Sequence, residues 1–205
     1  DGEFRRSYWH LDFMWGFDGI EHNVMDQGYI FHGEETRPDS ARVCGKIKFT
    51  HHPFIDHFKF LKEVVGDRAL VKQTIPAPSQ IFAELVRADN EEHLNRIYPN
   101  REELYTDLTQ AYHDFILALY NEGCRHLQLD DCTWGMLCDS NFAKYFADAA
   151  GGLEQLQQLY VKLNNEAIAN LPADLVVTTH VCRGNYHSTW ASSGGYGPVS
   201  KTLFG

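Results

Sequence analysis

The fold is decided by the segment LVVTTHVCRGN (residues 175–185), in which a run rich in Val and Thr ends in a polar turn. β-Branched residues pack well on a pleated surface, so we predict a strand over 175–181. The segment HLQLDD, with Leu at alternate positions, predicts a second strand over 126–130. Before it, a stretch over about 101–122 carries apolar residues at three- and four-residue spacing and predicts a helix. Alternating strands and helices are typical of parallel strands joined by right-handed crossovers.

The same alternation extends toward the N-terminus. Strands are predicted over 42–47 and 69–75, with a helix from Pro53 to about Val65 between them. Residues 141–170 are predicted to hold one or two helices interrupted at a Gly-Gly pair, and 191–198 a loop. The total is about five strands, which fits an open doubly wound sheet or a closed barrel. No GxGxxG motif follows any strand, which disfavours a nucleotide-binding doubly wound sheet.

Composition and charge exclude several classes of protein. The chain has 205 residues, a formal net charge of −10 and 43% hydrophobic residues, which is ordinary for a folded domain. The acidic balance disfavours broad binding to nucleic acid or to anionic lipid. No stretch approaches the roughly 18 apolar residues of a membrane span. Five widely spaced cysteines with no signal peptide before them indicate a reducing cytoplasm rather than a disulfide scaffold.

Two side chains at the end of the 175–181 strand are candidate metal ligands. His180 and Cys182 are two positions apart, so on an extended chain both side chains point the same way. An imidazole and a thiolate that converge on one point form half of a zinc site. The alternative is a buried Cys beside a hydrogen-bonded His, and spacing alone does not separate the two.

Carboxylates form a second group of candidates, because reactive groups of parallel α/β folds gather at the carboxyl ends of strands. Asp130 continues the polar face set by Gln128 and is the residue that we expect to face a barrel mouth, whereas Asp131 points to the opposite face. Glu3 could face the same mouth. For Asp130, a turn or helix cap is an equally good interpretation.

Other conspicuous residues have plainer interpretations. Trp134 could stack on a planar ligand or cover the core, and the aromatic stretch over 8–17 is expected to be packing. His52, just before a proline, is expected at the start of a helix. Cys132 and Cys138 lack a CxxC partner and are interpreted as structural.

Several separated segments together resemble a known family. DGE (1–3), QLDD (128–131) and THVCRGN (179–185) occur in this order and spacing in cobalamin-independent methionine synthase. The chain is similar in particular to short, single-barrel relatives of that enzyme's C-terminal catalytic half, in which segments like 180–196 and 3–13 recur. The resemblance covers essentially the whole chain. It implies an α/β TIM (β/α)8 barrel that transfers a methyl group from 5-methyltetrahydrofolate, or another methyl donor, to the thiol of homocysteine to form methionine.

The resemblance also implies roles for individual residues. His180 and Cys182 match the family's first two ligands of Zn²⁺. Glu3 matches the acid that contacts the substrate amino group, and Asp130 matches the acid that binds homocysteine and serves catalysis. The third and fourth zinc ligands, a Glu and a Cys, are implied on the last two barrel strands.

This chain departs from the family pattern in places. Asp131 stands where the family has Glu, and Cys132 stands where it has Pro, while the segment 74–82 lacks a Trp expected to stack a pterin. A complete barrel usually needs about 250 residues. We therefore expect residues 1–205 to form a single partial barrel of about five strands, the second through the sixth, without the first strand and the last two.

Two other functions are compatible with the residues. One is a hydrolase or lyase barrel that uses Glu3 and Asp130 as an acid/base pair. The other is a non-catalytic, truncated barrel that binds a partner along an open sheet edge.

Overall fold

A computed structural model describes residues 8–149 and 151–205, with the backbone alone for 145–149. The chain order of its strands and helices is α1 (Leu11–Met14), β1 (Asp18–Val24), β2 (Ile30–Phe31), β3 (Glu34–Glu35), β4 (Asp39–Lys48), α2 (Pro53–Val65), β5 (Lys72–Pro76), α3 (Pro78–Leu85), α4 (Glu91–Ile97), α5 (Arg101–Asn121), β6 (His126–Asp130), α6 (Cys132–Met136), α7 (Ser140–Ala149), α8 (Leu153–Ile168), β7 (Val176–His180) and α9 (Gly197–Phe204).

A parallel three-stranded sheet in the order β5-β6-β7 positions the candidate site. One of its faces carries Ile75, Leu127 and Leu129, which are almost fully buried among the helices. The Tyr112 hydroxyl of α5 donates to the Pro76 carbonyl at 2.7 Å and so fastens that helix to the end of β5. The strands predicted near 69–75, 126–130 and 175–181 are confirmed, and so is their parallel arrangement.

The crossover helix α5 forms for reasons that are visible in the sequence. The Asn100 side chain accepts a hydrogen bond from the Glu102 backbone N–H at 3.1 Å and caps the helix. Gly123 follows the helix with φ of +98°, a conformation that glycine adopts without steric cost. These signals confirm the helix predicted over about 101–122.

One predicted strand belongs to a different sheet. The strand expected over 42–47 is β4, and it pairs antiparallel with β1, with Val43 opposite Ile20. The expectation that it is one of about five parallel strands was therefore wrong, because an apolar strand pattern does not specify its neighbour. The described residues contain three parallel strands and no closed barrel. The single partial-barrel domain over 1–205 stays a prediction.

The aromatic segment before β1 packs inside the molecule, as expected. The centroid of the Phe13 ring lies 4.6 Å from that of the His52 ring and 5.0 Å from that of the Phe115 ring. His52 is fully buried and caps α2, because its Nδ1 accepts from the Phe54 backbone N–H at 3.2 Å. Its Nε2 then carries the proton and donates to the Phe13 carbonyl at 2.9 Å. The prediction that His52 starts a helix is confirmed.

The helices α1, α3, α4, α6 and α9 were not predicted. The proposed loop over 191–198 is correct as far as Tyr196, after which α9 begins at Gly197. In the part of the chain that is described, none of the helices combines the length and apolarity needed to cross a membrane.

Candidate functional site

The candidate site lies where β6 and β7 end. Asp130 and His180 are register partners on these adjacent parallel strands, so their side chains leave the sheet on the same face. Gln128 donates from Nε2 to Asp130 Oδ1 at 2.7 Å, and Lys72 donates from Nζ to Gln128 Oε1 at 2.9 Å. Polar side chains thus run across this face, which we call the site face. Asp130 lies on the polar face that the alternation of side chains along the strand predicted for it.

His180 and Cys182 lie close together at the end of β7, near enough for His180 to help lower the pKa of the Cys182 thiol. The hydrogen bond with the Cys132 thiol is the strongest of the influences that lower the pKa of Cys182 to about 6. The Gly184 backbone N–H, at 3.4 Å from Sγ, and the nearby His180 act in the same direction, while partial burial opposes them. A thiol with a lowered pKa is a better nucleophile and a better metal ligand at neutral pH.

Cys132 lies beside the candidate site, a contact that the structural interpretation of this cysteine did not anticipate. Its Sγ lies 2.9 Å from Cys182 Sγ, and the pKa of Cys132 is raised because the two thiols share a hydrogen bond. The register contains a signal for this contact: both cysteines lie two residues beyond the paired positions Asp130 and His180. Cys138 fits the structural interpretation, since its thiol is buried and donates to a backbone carbonyl.

Gly135 lets α6 approach the end of β7. A Cβ at this position would overlap the carbonyl oxygen of Cys182. Only glycine, which has no side chain, permits this approach of helix and strand end. The contact places the first turn of α6, with Cys132, beside Cys182.

Asp131 is a fully buried carboxylate that points away from the site face. Burial raises its pKa, and the hydrogen bonds that it accepts act in the opposite direction. Its backbone N–H donates to the His180 carbonyl at 2.8 Å. Its two oxygens accept from four side chains of α3, α6 and α8: Ser79 Oγ at 2.6 Å, Thr133 Oγ1, Trp134 Nε1 at 2.8 Å and Asn164 Nδ2 at 2.8 Å.

The surroundings of Asp131 decide the interpretation of Trp134. The indole is fully buried and its N–H is used by the Asp131 carboxylate. Trp134 therefore covers the core and does not stack on a ligand.

The segment after Cys182 is held by two sets of contacts. Arg183 donates from Nη2 to the Gly194 carbonyl at 2.7 Å, and its guanidinium lies 4.1 Å from the Tyr196 ring centroid. On the other side, the His32 ring stacks on Trp190 with centroids 4.8 Å apart, and the His32 backbone N–H donates to the Trp190 carbonyl at 2.8 Å. The small β2–β3 hairpin thereby packs against the segment beside the site.

The structure brings Asp130, His180 and Cys182 together, while Glu3 lies outside the described residues. Among the residues that are described, no group of three or more His, Cys, Asp or Glu side chains is arranged to hold a metal ion. Zinc binding and the substrate roles of Glu3 and Asp130 stay predictions.

Comparisons with known proteins give relatives over the whole chain. No family model matches. The uncharacterized Bacillus subtilis (strain 168) protein YxjH is 42% identical over 203 residues, covering 99% of this chain and 52% of the relative. The uncharacterized YxjG of the same organism is 40% identical over 205 residues, covering 100% of this chain and 52% of the relative. The chain spans about half the length of these curated relatives.

Solved structures give the chain a fold and a named neighbour. One neighbour is a Listeria monocytogenes protein provisionally named a vitamin-B12-independent methionine synthase. It is 41% identical with a TM-score of 0.70, and the match covers 100% of this chain and 51% of the Listeria chain. This chain is similar to it in sequence and in fold. A B12-independent methionine synthase from Shewanella sp. W3-18-1 is 17% identical with a TM-score of 0.60, covering 89% of this chain and 45% of its own, and supports the α/β fold alone.

Proposed function

We propose that the chain forms part of the catalytic barrel of a zinc-dependent methyltransferase. The reaction moves a methyl group from 5-methyltetrahydrofolate, or another methyl donor, to the thiol of homocysteine and gives methionine. The observation that carries this proposal is the proximity of His180 and Cys182 at the end of β7, beside Asp130 on the neighbouring strand. The named Listeria neighbour supports it and favours it over the hydrolase or lyase alternative.

The residues at this place have the chemistry that zinc requires. Imidazole and thiolate are its usual protein ligands, and the lowered pKa of Cys182 favours the thiolate that a metal ligand needs. His180 and Cys182 would hold the ion, and the proposal requires two more ligands from outside the described residues. Bound zinc would supply a Lewis acid that keeps the substrate thiol deprotonated at neutral pH.

The other polar residues of the site face bind and orient the substrate in this proposal. Asp130, with Glu3, would hold the ammonium group of homocysteine through charge-assisted hydrogen bonds. Gln128 orients the Asp130 carboxylate by donating from Nε2 to Oδ1 at 2.7 Å. Orientation of this kind reduces the entropic cost of bringing thiol and methyl donor together.

Metal analysis of the complete gene product tests the proposal. We expect about one zinc per chain, because one four-coordinate site takes one ion. His180→Ala and Cys182→Ser should lose the metal and the transfer of methyl groups to homocysteine. Cys44→Ser is the matched control, since Cys44 is an exposed cysteine on β4 and not at the site.

X-ray absorption at the zinc edge gives a second readout. Addition of homocysteine should add one sulfur to the zinc coordination shell. Full zinc content in both site variants would contradict the proposal, and so would methyl transfer that survives them. A cytoplasmic location and the absence of nucleic-acid and membrane partners stay predictions.

A further inference from the structure

The contact between Cys132 and Cys182 has a second chemical capacity. The two sulfurs lie 2.9 Å apart at the ends of adjacent strands, and both cysteines are partly exposed. A disulfide has sulfurs about 2.05 Å apart, so a relative movement of about 0.9 Å brings the pair to bonding distance.

The other cysteines do not have this arrangement. Cys124 and Cys138 are buried, and each donates its thiol to a backbone carbonyl, at 3.4 Å and 3.3 Å. Cys44 is exposed on β4, away from the parallel sheet. The Cys132–Cys182 contact therefore selects one pair from the five cysteines of the chain.

We propose that Cys132 and Cys182 are a modification site at which a low-molecular-weight disulfide is reduced to two thiols and the two cysteines are oxidised to an intramolecular disulfide. Cys182 is the residue that attacks the incoming disulfide. Its Sγ lies at the end of β7, 3.4 Å from the Gly184 backbone N–H, which favours a thiolate at this sulfur. Cys132 is the resolving residue. The methyl transfer proposed above uses neither residue for thiol–disulfide exchange.

The steps balance without a further reactant. The Cys182 thiolate attacks one sulfur of oxidised glutathione, forming a mixed disulfide and releasing one glutathione thiolate. The Cys132 thiol loses its proton to solvent and attacks the Cys182 sulfur of the mixed disulfide, releasing the second glutathione. The two protein thiols lose two electrons and two protons, and one glutathione disulfide becomes two glutathione thiols.

The consequence rests on the proposed function. If Cys182 is a zinc ligand, formation of the disulfide removes that ligand, and bound zinc in turn shields the Cys182 sulfur. Oxidation and metal binding would then exclude each other at one atom.

The experiment uses the reduced complete gene product, stripped of metal by a chelator and incubated with oxidised glutathione. After alkylation of the remaining thiols, non-reducing peptide mass spectrometry should find a peptide that joins Cys132 to Cys182, with two glutathiones released per chain. Cys132→Ser should stop at a mixed disulfide of glutathione with Cys182. Cys44→Ser should form the cross-link as the wild type does.

Two outcomes distinguish this inference from the proposed function. Absence of the 132–182 peptide from the metal-free wild type, or mixed disulfides that accumulate equally in wild type and Cys132→Ser, would overturn the inference. A zinc-loaded arm tests the ligand: we expect zinc to slow the cross-link and the cross-link to release zinc. A cross-link that forms at an unchanged rate while zinc stays bound would reject Cys182 as a ligand and leave the modification site standing.

Discussion

Replacement of Asp131 is expected to be far more damaging to stability than replacement of its neighbour Asp130. Asp131 is fully buried and accepts four side-chain hydrogen bonds, whereas Asp130 is partly exposed on the site face. The perturbations are Asp131→Leu, which removes both acceptor oxygens while keeping the branching of the side chain, and Asp131→Asn, which keeps one of them. Asp130→Asn is the matched control at the adjacent position.

The magnitude follows from the donors that would lose their acceptor. The Trp134 indole N–H and the Asn164 amide N–H, each 2.8 Å from Asp131 Oδ2, can only donate. A buried donor left without a partner costs about 1–3 kcal/mol, so the two together cost about 2–6 kcal/mol in Asp131→Leu. The hydroxyls of Ser79 and Thr133 can rotate to other acceptors. Asp131→Asn keeps one acceptor and should cost about 1–3 kcal/mol.

Urea unfolding of the complete gene product, followed by Trp fluorescence and far-ultraviolet circular dichroism, measures these differences. Asp130→Asn should stay within about 0.5 kcal/mol of the wild type, as substitutions away from buried networks usually do. Its Oδ1 can still accept the hydrogen bond from Gln128. Equal loss of stability in Asp130→Asn and Asp131→Asn, or a stable Asp131→Leu, would refute the reasoning.

Three further predictions concern pH and packing. Burial lowers the pKa of His10 from 6.5 to about 3, so its contribution to stability is complete above pH 6.5 and is lost as the pH falls toward 3. Between these pH values the free energy of unfolding of the wild type should fall more steeply than that of His10→Gln, by about 1.4 kcal/mol per pH unit. Cys132→Ala should raise the pKa of Cys182, because it removes the strongest influence that lowers it; the pH dependence of iodoacetamide alkylation in metal-free protein measures this, and an unchanged midpoint would contradict it. Gly135→Ala should displace the Cys182 carbonyl and reduce zinc content, while Gly195→Ala, whose Cβ would meet no atom within 4 Å, should not.

The sequence predicts the site face well for a physical reason. In a strand, side chains alternate between faces, and in a parallel sheet the carboxyl ends of neighbouring strands lie together. These two rules place Asp130 on the polar face and His180 beside it on the neighbouring strand, and the structure has this geometry. Both rules need only the local pattern of one strand at a time.

The pairing of β4 shows where local pattern is insufficient. The segment 42–47 is apolar enough for a strand in any sheet, and nothing within it specifies β1 as its antiparallel neighbour. The strand β1 itself, DGIEHNV (Asp18–Val24), carries too few apolar residues to stand out. Partner choice depends on tertiary packing, which the sequence pattern does not contain.

The contact of Cys132 with Cys182 was missed for a related reason. A search for paired cysteines by spacing looks for CxxC, whereas these two are 50 positions apart in the chain. They become neighbours only through the register of β6 and β7. A search that first aligns the predicted strand ends would have found the pair, because both cysteines follow their strand ends by two residues.

Three consecutive residues at the end of β6 have side chains that point in three different directions, and this explains why Asp131 matters for the whole site. Asp130 points onto the site face, Asp131 into a buried network that joins three helices, and Cys132 toward Cys182. Asp130 and Cys132 are the covalent neighbours of Asp131, so their positions depend on its anchorage. The Asp131 backbone N–H also donates to the His180 carbonyl at 2.8 Å. A substitution that releases Asp131 should consequently disturb the carboxylate and the thiol pair together, although Asp131 itself points away from the site.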